Sequence, residues 1–165
     1  MDIDILIEDA AWDALGLETM VQDAARATLA ALSLDPDGYA LSVLAADDTR
    51  IAALNADFRG KPTPTNVLSW PAQNRAAATP GAMPDLPQAL PNAPPTELGD
   101  IALAHGTCAR EAREGGKPLV QHATHLIVHG LMHCLGFDHQ TEADAALMEQ
   151  LETRILASLG VPDPY

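Results

Sequence analysis

The sequence predicts an α+β fold with a small mixed sheet of about four strands and about five helices, and with a metal site on one helix and the turn after it. Four short apolar runs predict the strands, and five stretches have helical apolar spacing or helix-capping residues. Strands and helices do not alternate strictly, and this order favours an α+β arrangement. A length of 165 residues fits one domain over 1–165.

The first 70 residues are predicted to contain three strands and two helices. The strands are expected at 3–7, 39–45 and 65–70, the first because its isoleucines alternate along the chain. Apolar residues spaced i, i+3, i+4 and i+7 predict a helix with one buried face at 18–33. A shorter helix at 48–60 is bounded by an aspartate that can cap its start and a glycine that can close it.

The second half is predicted to supply one more strand and three helices. The strand is expected at 98–104 and a helix at 105–114, ending at a pair of glycines. Pro118 suits the first turn of the next helix, which contains most of the histidines. A capping-box sequence at 141–144 predicts the start of the last helix.

Residues 72–97 differ in kind from the rest of the chain. They hold six of the 13 prolines, set among Ala, Asn and Gln. Such a stretch is typical neither of a core element nor of a central strand. We therefore expect a Pro/Ala-rich excursion on the surface that interrupts the domain without dividing it.

Charge and composition restrict the classes of function. The net charge is −14, from 9 basic and 23 acidic residues, and this argues against nonspecific nucleic-acid binding. Basic residues nevertheless cluster near Arg59 and Lys61, so a local basic cleft is compatible with the composition. The acidic N-terminus, the lack of a long apolar stretch and only two cysteines predict a cytoplasmic protein without a membrane segment.

Three histidines in one short run predict a metal site. His129 and His133 are four residues apart and project from one face of a helix. Gly136 suits the end of that helix, so the chain can turn back and bring His139 to the same point. Three imidazoles without a fourth protein ligand are typical of a catalytic zinc ion with an open position, one per chain.

The spacing is that of metzincin metallopeptidases with one difference. Those enzymes have a glutamate general base after the first histidine, where this chain has Gly130. A metallopeptidase is therefore an alternative that the sequence disfavours. His122 and His125 share the same helix face, so either could belong to a rival ligand set. We interpret His125 as supporting a ligand or contacting substrate. The alternative is a core histidine whose hydrogen bonds are all made within the protein.

Asp138, next to the third histidine, has two possible roles and one plain alternative. It could orient a ligand imidazole, as carboxylates around metal sites do, or accept a proton. The alternative is an ordinary turn residue after the helix.

Several stretches together resemble the YbeY family of bacterial endoribonucleases and rRNA maturation factors. The resemblance lies in residues 54–61, 65–70, 98–103, 125–139 and 148–156, in the expected order and over nearly the whole chain. It implies one zinc ion on His129, His133 and His139, and an Arg59 important for activity on RNA.

The resemblance further implies that the protein cleaves ribosomal RNA, and that it takes part in 16S rRNA 3′ end processing and in ribosome quality control. It also implies partners among the ribosomal small-subunit proteins and a ribosome-assembly GTPase.

The chemistry of such a site agrees with hydrolysis of RNA. Zinc lowers the pKa of a bound water to about 7 and polarises a phosphoryl oxygen. A guanidinium such as that of Arg59 can bind two nonbridging oxygens as charge develops on them. Single-stranded RNA is the expected substrate, because it can enter a cleft and present its phosphate. The other alternative is a ribosome-assembly binding protein whose zinc is structural.

Overall fold

The computed structural model describes residues 1–165 as one mixed sheet with helices on both faces. The α+β prediction, with about four strands and about five helices, is confirmed. The strands are β1 Asp2–Ile7, β2 Tyr39–Ala46, β3 Val67–Pro71 and β4 Thr96–Ala104. The α-helices are α1 Leu17–Ala31, α2 Asp48–Arg59, α3 His105–Glu114, α4 Leu119–Cys134 and α5 Glu142–Ser158. Short 3-10 helices lie at Ala10–Leu15 and Pro36–Gly38.

The sheet has the order β1-β2-β4-β3. β1 pairs with β2 and β2 with β4 in parallel, whereas β3 runs antiparallel to β4 at the edge. β4 begins two residues before the predicted start, because Thr96 and Glu97 pair with Tyr39 and Ala40 through the backbone. Such pairing does not depend on apolar side chains, so hydrophobic patterning does not reveal it.

The side chains of β4 divide between two cores, as the period of two in a strand requires. Ile101 and Leu103 belong to the larger core, which α1, α4 and α5 cover. Ala102 and Ala104 belong to a smaller core on the opposite face, where Ile51 of α2 packs. Both faces of the central strand are therefore buried, which accounts for its continuous run of apolar residues.

Helix α4 packs closely on the sheet at Gly130. A Cβ atom at this position would lie 3.2 Å from Cγ2 of Ile101, tighter than ordinary van der Waals contact. The absence of a side chain thus sets how near the helix approaches β4. The histidines of α4 lie on other faces of the helix and remain partly exposed.

Residues 72–95 contain no helix or strand, but hydrogen bonds and core packing hold them against the rest of the chain. The hydroxyl of Tyr39 donates to the carbonyl oxygen of Pro87 at 2.7 Å and accepts from the backbone N–H of Ala89 at 3.2 Å. Earlier in the segment, the N–H of Gly81 donates to Oδ1 of Asp144 at 2.8 Å. Leu86 also packs against the larger core.

The helix starts agree with the capping residues in the sequence. Oδ1 of Asp47 accepts from the N–H of Arg50 at 2.8 Å at the start of α2, and Oγ1 of Thr141 accepts from the N–H of Asp144 at 3.1 Å at the start of α5.

No helix is both long enough and apolar enough to span a membrane.

Candidate metal centre

The structure brings His129, His133 and His139 together at the C-terminal end of α4. The first two lie one turn apart on the helix, and the third lies in the turn that follows. Gly136 makes this return possible with a φ of +100°, a backbone conformation that side chains rarely adopt. One ring nitrogen from each histidine falls within 4.8 Å of those of the other two.

The hydrogen bonds of the two helix imidazoles fix which nitrogens face each other. The Nδ1–H of His133 donates to the carbonyl oxygen of Phe137 at 3.0 Å, and that of His129 donates to Oε1 of Glu152 at 2.8 Å. In a neutral imidazole the other nitrogen, Nε2, is then an acceptor without a proton. The two Nε2 atoms lie only 3.1 Å apart. Two lone pairs at this distance repel each other unless a cation lies between them.

The three residues fit a zinc ion. Two nitrogens on a tetrahedral zinc, each about 2.0–2.1 Å from the ion, are roughly 3.3 Å apart. The observed 3.1 Å between Nε2 of His129 and Nε2 of His133 is close to that separation. Burial, followed by the neighbouring His129 and His139, lowers the pKa of His133 from 6.5 to about 4. The imidazole is therefore neutral near pH 7, as a metal ligand must be.

A buried carboxylate on α5 supports the first histidine. Glu152 is 0% exposed, and it accepts from His129 through Oε1. Its Oε2 lies 3.0 Å from Nε2 of His125 and 2.5 Å from the hydroxyl of Tyr165. Burial alone would raise the pKa of Glu152, but the hydrogen bonds from His125, His129 and Tyr165 lower it to about 2. The carboxylate is therefore ionised and stabilises the His129 tautomer that presents Nε2.

A second group of possible ligands, formed by His125, His129 and Glu152, competes with this assignment. Glu152 already bonds both imidazoles and the hydroxyl of Tyr165, so its oxygens are occupied by donors. The geometry favours the set with His133 and His139, whose nitrogens have no such partners on the shared side. His122 lies near the start of α4, where its Nε2 bonds Oε1 of Glu111 at 3.0 Å.

A cleft of about 520 Å³ opens over the three histidines. One wall is formed by the end of α2 and by β3, and the other by the turn after α4 and by residues 73–76. Arg59, the last residue of α2, lines this cleft, is exposed, and has no ion-pair partner. The structure thus brings the arginine singled out in the sequence to the same cavity as the histidines.

Asp138 and His125 occupy different places. Asp138 lines the cleft, and its Oδ1 accepts from the backbone N–H of His139 at 2.7 Å. It makes no hydrogen bond to an imidazole. His125 does not line the cleft and instead contacts Glu152 behind the metal histidines.

Two residues of the site did not emerge from the sequence. Glu152 occupies the apolar face of α5, four residues after Met148 and four before Leu156, both buried. A single charge on a buried face is a signal that could have found it. Arg75, which lines the cleft from the Pro/Ala-rich segment, has no comparable signal, because its burial follows from the path of an irregular chain.

Comparison with known proteins identifies the family of this chain. The family described as "Endoribonuclease YbeY" matches residues 3–160. The chain belongs to this family. It is 67% identical to an endoribonuclease YbeY of Jannaschia sp. (strain CCS1) over 165 residues, with all of both chains covered. It is 62% identical to that of Dinoroseobacter shibae, covering 99% of this chain and 90% of the relative.

A YbeY protein of lower identity and one solved structure extend the comparison. Identity to the endoribonuclease YbeY of Cereibacter sphaeroides is 53% over 163 residues, covering 99% of this chain and 98% of the relative. A Thermotoga maritima protein solved in solution has a TM-score of 0.56 at 17% identity, covering 96% of this chain and 91% of that one. At this identity the likeness concerns the fold alone. The resemblance of the sequence to the YbeY family is confirmed.

Proposed function

We propose that this chain is a zinc-dependent endoribonuclease that cleaves single-stranded RNA during ribosomal RNA maturation. Membership of the YbeY family supports hydrolysis of phosphodiester bonds in RNA. The observation that supports metal dependence is the 3.1 Å distance between Nε2 of His129 and Nε2 of His133 at the base of the cleft that Arg59 lines. By family resemblance the work includes 16S rRNA 3′ end processing and ribosome quality control.

The residues that would hold the metal are His129, His133 and His139. When bound, zinc supplies Lewis-acid chemistry and lowers the pKa of a water to about 7. Glu152 keeps His129 in the required tautomer, and the carbonyl oxygen of Phe137 does the same for His133. Both nitrogens are thereby preorganised before the ion binds.

The chain's own residues would bind the substrate and move its protons. Arg59 binds the nonbridging oxygens of the scissile phosphate, where negative charge builds in the transition state. Asp138 lies in the same cleft and accepts a proton from the water that attacks the phosphate. His125 acts as a positioning residue, because its hydrogen-bond connection to His129 runs through Glu152.

The wider setting is proposed from the same resemblance. The chain forms a single YbeY-like domain over 1–165 with its Pro/Ala-rich excursion at about 72–97, and works in the cytoplasm. Its partners are ribosomal RNA, ribosomal small-subunit proteins and a ribosome-assembly GTPase. A structural zinc in a ribosome-assembly binding protein is the alternative, and it is disfavoured because the three histidines border an open cleft.

The deciding experiment is incubation of the purified protein with ribosomal RNA, with and without a chelator, followed by mapping of the new RNA ends. We expect cleavage that the chelator abolishes and added zinc restores. His133→Ala serves as the control for contaminating nucleases, since it removes one ligand. A zinc-loaded protein that binds ribosomes and cleaves no RNA would support the structural-zinc alternative.

A further inference from the structure

Arg75 is a buried arginine in the wall of the metal cleft. Only 8% of its surface is exposed, and no other arginine is buried. It takes part in none of the salt bridges. Its buried Nε has no hydrogen-bond partner, and its Nη1 makes one long contact of 3.5 Å with Oε1 of Gln73. The guanidinium thus lacks both a counter-ion and most of its acceptors.

A buried cation without an anion is unfavourable, since removal from water costs free energy that no partner restores. The backbone nevertheless holds Arg75 in this place. The N–H of Asp85 donates to the carbonyl oxygen of Arg75 at 3.0 Å. On the other side lies Gly136, where a Cβ atom would come within 2.6 Å of that same oxygen. The absence of a side chain in the turn between His133 and His139 therefore lets Arg75 sit against the metal site.

We propose that Arg75 binds a second phosphate of the RNA strand whose scissile phosphate lies at the metal centre. This inference rests on the proposed function. A phosphodiester is the anion that an RNA-cleaving cleft would receive, and a guanidinium can donate to two of its oxygens at once. The phosphate supplies the missing counter-ion. The Pro/Ala-rich excursion then forms one wall of the substrate cleft.

The role of Arg75 differs from that proposed for Arg59. Arg59 acts on charge that develops during the reaction, so its loss lowers kcat. Arg75 meets a charge that the substrate carries throughout, so its loss raises KM and leaves kcat nearly unchanged. A merely structural arginine would not produce this split.

The test compares the zinc-loaded parent with Arg75→Gln, Arg75→Lys and the control Arg26→Ala, which removes an exposed charge from α1 outside the cleft. Binding of a fluorescent single-stranded RNA is read by stopped-flow anisotropy before turnover, over a range of salt. We expect Arg75→Gln to bind about tenfold more weakly. The slope of log K against log salt should fall by about 0.7, one phosphate contact on a single strand. Arg75→Lys should keep the slope, and Arg26→Ala should match the parent.

Unchanged affinity and slope in Arg75→Gln, or an equal loss in Arg26→Ala, would overturn the inference while leaving the proposed function in place. A parent that neither binds nor cleaves RNA would reject both. If Arg75→Gln fails to fold, the Nε–H resonance of Arg75 in the parent, assigned with Arg75→Lys, decides the question. It should shift when the RNA is added, and a constant position would overturn the proposal.

Discussion

Oε1 of Glu152 and Nδ1 of His129 are joined by a hydrogen bond of 2.8 Å, although the glutamate is completely buried. A buried charge is tolerated only where several donors surround it, and here His125, His129 and Tyr165 do so. The carboxylate on α5 thereby sets the tautomer of His129, a candidate metal ligand on α4.

Replacement of Glu152 should weaken metal binding without removing a ligand. Glu152→Gln leaves one acceptor where the carboxylate has two oxygens, and we expect zinc affinity to fall about 10- to 100-fold. Competition with a chromophoric chelator measures this affinity, and the visible spectrum of the cobalt-substituted protein reports changed ligand geometry. Glu142→Gln, which changes an exposed glutamate at the start of the same helix, is the control. Identical spectra and affinities in both variants would mean that Glu152 has only a packing role.

Loss of His133 should remove most of the metal. We expect about one zinc per chain in the parent and little in His133→Ala, because two imidazoles do not complete the site. Thermal stability of the parent should also fall on chelation, since bound metal stabilises the folded state. Elemental analysis and thermal melting check both points. Full zinc in a folded His129→Ala/His133→Ala double variant would contradict the assignment.

Arg59 should affect the reaction and not the metal. A guanidinium has no lone pair to offer zinc, so Arg59→Ala should keep full metal content. Cleavage should slow by about 10²–10³, by analogy with loss of one oxyanion-hole donor. Arg59→Lys should recover part of the rate, because an ammonium cannot make the planar two-point contact. RNA cleavage with zinc content checked for each variant is the measurement, and equal rates in all three would place Arg59 outside the reaction.

Gly130→Glu should not create a peptidase and should destabilise the fold. The side chain would meet Ile101 on the sheet, where even a Cβ atom is crowded at 3.2 Å. Overpacking and a buried carboxylate without a partner together should cost on the order of 3 kcal/mol or more. Chemical denaturation and a casein assay test the two parts. Proteolysis by this variant at parental stability would refute both.

The thiol of Cys108 should make the free energy of unfolding of the protein fall at alkaline pH. Burial, and then the charges of Glu111 and Asp48, raise its pKa from 9.0 to about 12. The folded state holds this proton more tightly than the unfolded state, so the contribution is complete below about pH 9 and lost as pH rises towards about 12. The stability difference between the parent and Cys108→Ala should shrink over that range in denaturation experiments. A difference independent of pH would show that the thiol does not titrate in this way.

Most helices and strands could be predicted from the sequence, because capping and apolar spacing depend on residues that are close together in the chain. Helix α3 has the predicted bounds, Thr141 caps α5 as the capping-box sequence predicts, and of the two adjacent aspartates that could cap α2 it is Asp47 that does so. β4 begins two residues earlier than the apolar pattern predicts, since its first pairs are backbone contacts with β2. Patterns of side chains do not encode such pairs.

The three-histidine group follows from local sequence alone, because one helical turn and one glycine turn suffice to bring His129, His133 and His139 together. The residues that surround this group depend on how distant parts of the chain pack. Glu152 reaches the site by packing of α5 on α4, and Arg75 by an irregular path held against Gly136. These contacts join residues far apart in the chain, and their energy depends on burial and on partners that no short stretch contains.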